Sequence, residues 1–452
     1  MKRILVILIL SANIVCAQNW VPLGAGLKGG ITEGRVLYSD SISGKLFVGG
    51  SFTRADNHYA YGIAAWTGLN WDTLNGGVGC CYSNPSFVGG IITTISSYQN
   101  QLYAGGGFTY LYGSPYTTIV NGFTRWNGTS WDSINIAFHQ NGGRPFYFCE
   151  YNNLLYCVGN FDSAGAYYSP HIVKWDGVNW IPISIPSNLF TNGFEKCLVF
   201  QNALYFPNVL DTTTGISYAF LKWDGTTWSV TGANFGGLVH ALAVYNNEIY
   251  IGGSNFVGVP GSNIVKFDGT NFYSVGNDVN ATVWNFKVIE NKLFAVGVFD
   301  HAGGIPASNI AIWDGNGWSA FSNDTFYSGG INDIAVFNNE LYVTGAFYKI
   351  NSDSIWSIAK YNGWYLGEKE FNKKSGASVY PNPANNIINI NLTVIPTREE
   401  FLIITDVLGN NIYQQTLLKM NNSIDVSKWS NGVYFYEITN NKEIFRGRFV
   451  KV

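Results

Sequence analysis

One element, repeated along most of the chain, restricts what it can fold into: an aromatic residue, a glycine two positions on, then a second aromatic. It occurs as Trp66-Thr67-Gly68 before Trp71, Trp126-Asn127-Gly128 before Trp131, and Trp175-Asp176-Gly177 before Trp180. It continues as Trp223-Asp224-Gly225 before Trp228, Phe267-Asp268-Gly269 before Phe272, and Trp313-Asp314-Gly315 before Trp318, with a degenerate copy at Tyr361-Asn362-Gly363. Successive first aromatics are 60, 49, 48, 44, 46 and 48 residues apart. Between the copies recurs a second element, clearest in Ala243-Val244-Tyr245-Asn246-Asn247-Glu248-Ile249-Tyr250-Ile251-Gly252-Gly253 and in Ala335 to Val343.

Each unit therefore holds four short runs of β-branched and aromatic residues, separated by Asn-Asn and Asp-Gly turns that supply the tight conformations of hairpins. Four strands in a unit of this length make a propeller blade, which buries its faces only by stacking on neighbouring blades. The expected fold is all-β: a seven-bladed β-propeller over residues 18–366, then a small Ig-like β-sandwich. Asn19 to Gly24 reads as an outer strand that completes the last blade, with Trp364-Tyr365-Leu366 as a rival for that place. The Tyr-x-x-Gly-Gly strand and the later Trp strand resemble kelch and galactose-oxidase-type blades.

The chain opens with Met1-Lys2-Arg3, an apolar run from Ile4 to Leu10, and small residues before Gln18. This is the pattern of a signal peptide, residues 1–17, cleaved between Ala17 and Gln18. Charged residues are only 12% and the net charge is −3, which argues against nucleic acid as a partner, because phosphate binding needs a surplus of Lys and Arg. Five cysteines follow the leader. Cys149 and Cys157 flank a tight turn and could bridge across it, Cys80-Cys81 could pair with each other or separately, and no spacing resembles a zinc site.

Charged residues between Glu368 and Lys374 mark a linker, residues 367–377. Beyond it, residues 378–452 carry Tyr380-Pro381-Asn382-Pro383, Asp406 with Gly409, Gly432 with Tyr434, and Lys451 near the end. In that order the motifs resemble the type A C-terminal sorting domain of Bacteroidota. The resemblance implies passage through the outer membrane by the type IX secretion machinery as partner, with release or attachment at the cell surface.

Short uniform turns sit on one face of such a blade array, and the longer, variable connections on the other; ligands are expected on the latter. The candidates there are Tyr110, Tyr112, Tyr167, Tyr168, His139, Arg144 and His171, with Tyr59 and Tyr116 as further loop aromatics. Tyrosine offers a large face for a sugar ring or a protein partner. The cofactor is left unknown, since no set of His, Tyr and Cys matches a galactose-oxidase copper site and no HExxH, GxSxG or P-loop occurs. The Asp of each Asp-Gly turn is expected to cap its own turn, and the Trp to pack between blades. Asp-Ser/Thr steps at Asp40, Asp72, Asp132, Asp162, Asp211 and Asp353 resemble an O-glycosylation sequon of Bacteroidota, with Ser163 and Thr212 as loop copies. The favoured function is a secreted or surface-attached binding module for glycan or protein. The alternative is a carbohydrate-active enzyme with its site at the central mouth.

Overall fold

The computed structural model describes residues 19–79, 90–112, 120–134, 138–139, 143–362, 377–381, 383–392, 400–406, 410–417, 419, 421–439 and 444–452. The leader with its Ala17/Gln18 cleavage point, Cys80-Cys81, Tyr116, Trp364-Tyr365-Leu366, most of the linker, Asn382 and Gly409 lie outside them. The chain divides into two units, Met1–Trp364 and Tyr365–Val452. Both are built from β-strands, and one short 3-10 turn, Leu74–Gly76, is the only helical element among the described residues.

The larger unit holds seven antiparallel sheets of four or five strands among the described residues. Their first strands are Glu33–Asp40, Ile91–Tyr98, Arg144–Tyr151, Leu198–Phe200, Leu238–Tyr245, Val283–Ile289 and Phe326–Phe337. Each first strand adjoins the next, and that of the seventh sheet adjoins that of the first, so the seven make a closed circuit. The circuit is not a hydrogen-bonded barrel, because each sheet keeps its own ladder. The seventh sheet takes its outer strand from the start of the chain: Trp20–Pro22 pairs with Ile358–Tyr361, Trp20 opposite Tyr361. Trp20 is buried against Phe321, Phe326 and Tyr361, with ring centroids 5.9, 5.3 and 4.8 Å away.

Side-chain polar groups tie neighbouring sheets together in a repeated way. The hydroxyls of Tyr98, Tyr151 and Tyr245, each the last residue of a first strand, donate to the carbonyls of Asn153, Asn202 and Asn291 in the next sheet's turn, at 2.6, 2.8 and 3.1 Å. The indoles of Trp175, Trp223 and Trp313 donate to Tyr103, Tyr156 and Tyr250 of the preceding sheet. Those of Trp71, Trp131, Trp228 and Trp318 donate to carbonyls of Leu23, Leu74, Ser184 and Val275. A buried indole N–H left unpaired is costly, so the repeated aromatics hold the sheets in register as well as filling the space between them.

Six of the seven first strands carry a bulge at the same place, where the pairing register skips Arg35, Thr93, Phe146, His240, Trp284 and Asn332. Opposite each bulge the second strand has a glycine: Gly50, Gly106, Gly159, Gly253, Gly297 and Gly345. A Cβ at any of these would collide with a carbonyl oxygen of the bulged strand. In the fourth sheet the corresponding segment reads Phe206-Pro207, and its first strand, Leu198–Phe200, pairs with no such skip. Glycine and bulge are thus two sides of one packing requirement.

One expectation about the thiols is corrected. Cys149 lies opposite Tyr156 and Cys157 opposite Phe148. Directly opposed residues share a face, and successive residues alternate, so Cys149 and Cys157 point to opposite sides of the third sheet and cannot bridge. Both are free, as is Cys197, which packs with Cys149 in the core between the third and fourth sheets.

In the smaller unit, Ala377–Tyr380, Ile387–Leu392 and Asn421–Asp425 form one sheet, and Asn411–Leu417, Glu400–Thr405, Gly432–Thr439 and Ile444–Lys451 another. Ile388, Ile390, Leu402, Ile404, Tyr434 and Phe449 of the two sheets share one core. The peptide before Pro381 is cis. Ala384 exchanges backbone hydrogen bonds with Val450 and Val452, and the buried Lys451 ammonium donates to the Val452 carbonyl at 2.6 Å. Asp406 accepts from the Asn410 N–H, and the Tyr434 hydroxyl donates to the Ser430 carbonyl.

Three substitutions test this account. Gly253→Ala should cost about 1–3 kcal/mol or more through overpacking, whereas Gly317→Ala, with open space around it, should stay within about 0.5 kcal/mol of the parent. Trp20→Ala should cost about 3–5 kcal/mol by loosening the strand that completes the seventh sheet. Denaturant midpoints at constant m-value measure all three.

Candidate functional site

The residues expected at a ligand site fall into separate groups. Tyr110 and Tyr112 come together with two tyrosines of the first sheet's connection: Tyr59 stacks on Tyr61 at 5.7 Å, Tyr61 on Tyr112 at 4.1 Å, and Tyr112 meets Tyr110 edge-on at 5.4 Å. The Arg54 guanidinium caps the run, 4.6 Å from the Tyr59 ring centre, and donates to its hydroxyl. This run forms because the hairpin of Arg54–Ala55 and His58–Tyr59 and the strand Tyr110–Leu111 each follow a second strand, and Tyr110–Leu111 pairs with Val78–Gly79 of the link between the first and second sheets. Tyr61 was not singled out by sequence, since it stands in the approach to a third strand and reads there as core.

A second group shares one small sheet: Phe138–His139 pairs with Ser163–Ala164, which pairs with Tyr167–Tyr168. Tyr168 is 76% exposed and Tyr167 49%, so this hairpin presents two aromatic faces to solvent. His171 belongs to neither group. Its φ is +67°, and its carbonyl accepts from the Gly159 N–H. Gly62, Gly122, Asn309 and Ser357 occupy the same left-handed position in other sheets and make the same bond, so the conformation at His171 is a backbone requirement.

Arg144 opens the first strand of the third sheet and is half-buried on the circuit of first strands. Its guanidinium lies 5.2 Å from the Phe146 ring centre. The bulges explain its company, since an extra residue in a strand re-aims the side chains beside it. Arg35 pairs with Glu33 at 2.9 Å, and Glu33 also accepts from Asn332. His240 meets Glu195 at 3.0 Å and lies tilted against Trp284, with ring centroids 4.6 Å apart. Lys196 sits 4.5 Å over the Tyr147 ring. Arg35, His240 and Asn332 were missed because strict two-residue alternation assigns a strand's faces without the skipped residue, the available signal being the recurring glycine opposite it; Glu195 and Lys196 were missed because they lie in the approach to the fourth sheet's short first strand.

Asp333 is the one fully enclosed carboxylate of the group. Its oxygens accept from Leu37 N at 2.7 Å, Ile334 N at 2.8 Å and Asn285 Nδ2 at 2.8 Å. Burial raises its pKa, while Lys287 and Lys196 pull it down. With its lone pairs engaged by the protein, Asp333 joins the seventh sheet to the first and is poorly placed to exchange protons with a ligand.

The turn aspartates do what their position suggests. Asp176, Asp224, Asp268 and Asp314 each accept from the N–H groups two and three residues on. The backbone N–H of Asn179, Asn271 and Gly317 holds three of these carboxyls below their ordinary range, and for Asp224 the Thr227 hydroxyl acts first. Asp40, Asp72 and Asp211 likewise accept from Ile42, Leu74 and Thr213 N–H, which gives those Asp-Ser/Thr steps a turn-forming role. Carboxyls with depressed folded pKa stabilise above the unfolded value of about 3.9 and lose that contribution as pH falls through the folded value. The melting temperature should therefore fall between about pH 4 and pH 2, and replacing the four turn aspartates by Asn should flatten that limb when followed by calorimetry.

Among the described residues no three His, Cys, Asp or Glu side chains cluster as a metal site, and no helix is long and apolar enough to cross a membrane.

Comparison with solved structures finds distant likenesses. PorZ, a surface component of the type-IX secretion system of Porphyromonas gingivalis, is 16% identical with a TM-score of 0.45, over 93% of this chain and 59% of its own. The extracellular domain of the two-component system BT4673 of B. thetaiotaomicron is 10% identical with a TM-score of 0.46, over 96% of this chain and 59% of its own. A Trypanosoma rangeli sialidase mutant is 12% identical with a TM-score of 0.33, covering 95% of this chain and 87% of its own. The chain thus spans about three fifths of the first two. No curated protein matches it. Residues 378–451 match the family of secretion system C-terminal sorting domains, and this tail marks the protein for export by type IX secretion, to be released or held at the outer cell surface.

Proposed function

We propose that residues 18–366 form a seven-bladed β-propeller, and that this exported module binds a glycan or protein partner through the tyrosines on its connections. The observation that carries the reading is the run Tyr59, Tyr61, Tyr112 and Tyr110, closed at one end by Arg54. Stacked rings with polar tips hold a large contact surface at small entropic cost, which suits sugar faces and protein anchors alike. The exposed pair Tyr167 and Tyr168 extends the same chemistry to a second connection.

The competing reading is a carbohydrate-active enzyme, and the contact that favours it is His240 with Glu195. A general acid or base must reach the reacting atom with a usable proton or lone pair. Three hydrogen bonds engage Asp333 within the protein, so this reading rests on the contact of His240 with Glu195.

The test is an array of glycans and matrix proteins probed with the secreted protein. Saturable binding is expected, weakened about tenfold or more by Tyr59→Ala or Tyr168→Ala, both at exposed positions where folding is little affected. Polysaccharide turnover abolished by His240→Ala would replace the binding reading with the enzymatic one.

A further inference from the structure

Where the first strands of the third and fourth sheets meet, two cations stand without a carboxylate in ion-pair distance among the described residues. Arg144 is half-buried beside Phe146, and Lys196 lies over Tyr147. The neighbouring acids are already engaged: Glu33 by Arg35 and Asn332, Glu195 by His240, and Asp333 by two backbone N–H groups and Asn285. Arg144 also feels the charge of Arg35, and Lys196 that of Lys287. Burial pushes both cations toward deprotonation; Glu195 opposes this at Arg144, and Asp333 followed by Glu195 opposes it at Lys196.

Removing a cation from water without a counter-charge costs free energy. An arriving anion would recover that cost. The guanidinium fork of Arg144 matches the paired oxygens of a carboxylate or sulfate, and the Lys196 ammonium adds a point charge. Beside them stand Phe146, 5.2 Å from the Arg144 guanidinium, and Tyr147, 4.5 Å from the Lys196 ammonium, and aromatic rings of this kind cover the apolar face of a sugar. We infer that the junction of the third and fourth sheets is a binding site for the acid group of an acidic saccharide, with Arg144 and Lys196 as its principal contacts.

The site uses none of the connection tyrosines, so its test is separate from that of the tyrosine run. The secreted protein is titrated calorimetrically with oligogalacturonate, a sulfated glucan oligomer and a neutral glucan oligomer, at about 50 mM and about 300 mM salt. Binding is expected for an acidic oligomer and absent for the neutral one; whichever acid binds more tightly identifies carboxylate or sulfate as the group held. Arg144→Met and Lys196→Met should each weaken binding about tenfold or more, Arg144→Lys should weaken it less, and Lys292→Ala, at an exposed turn of the sixth sheet, should leave it unchanged. Arg144→Met should also keep or raise the melting temperature, since it removes an uncompensated charge, which separates a ligand contact from a structural one. Equal affinity for acidic and neutral oligomers, no binding of either acid, or equal losses in Lys292→Ala and Arg144→Met would overturn the proposal.

Discussion

A row of sheets stacked side by side has two open ends, and the whole of the larger unit depends on how they are joined. The join is made twice. At the outer edge Trp20–Pro22 supplies the strand that the seventh sheet lacks, with Trp20 sunk among three aromatic rings. At the inner edge Asp333 accepts a hydrogen bond from Leu37 N, across 296 residues of sequence. An unjoined end would leave an exposed edge strand and a sheet face open to water. Both contacts bring residues near the start of the module to residues near its end, so every sheet between them gains two neighbours.

Inside each sheet the governing constraint is smaller in scale. A bulge in the first strand turns its carbonyl toward the second strand, and only glycine leaves room for it. The bulge increases the local twist and sends one more side chain off the regular alternation. Six repetitions of this device bring Arg35, Thr93, Phe146, His240, Trp284 and Asn332 to equivalent places on the circuit of first strands. The same feature that satisfies packing therefore concentrates polar and aromatic groups in a chain with few charges. The fourth sheet, without the glycine and without the bulge, contributes Glu195 and Lys196 from the approach to its short first strand.

Much of this was legible in advance because the repeat encodes local geometry. The Asn-Asn pairs take left-handed conformations at Asn152-Asn153, Asn246-Asn247 and Asn338-Asn339, and the Asp-Gly aspartates cap their own turns, as their short polar side chains allow. Tyr110 and Tyr112 were recognisable as loop aromatics, but their stacking on Tyr61 was not, because two separate connections had to meet. His171, a candidate ligand residue by sequence, holds a left-handed backbone position that glycine, asparagine or serine fills elsewhere. Cys149 and Cys157 looked close enough to bridge until the pairing register placed them on opposite faces.

The sequence by itself determined the all-β class, the spacing of the strands, the turn chemistry and the sorting motifs of the tail, since each depends on residues within a few positions of one another. Tertiary structure alone decided which side chains share a site. Arg144, Lys196, Glu195, His240 and Trp284 come from the third, fourth, fifth and sixth sheets, and local periodicity carries no information about contacts between sheets. Those contacts arise only when the circuit closes and the bulges shift the alternation of six of the seven inner strands by one residue.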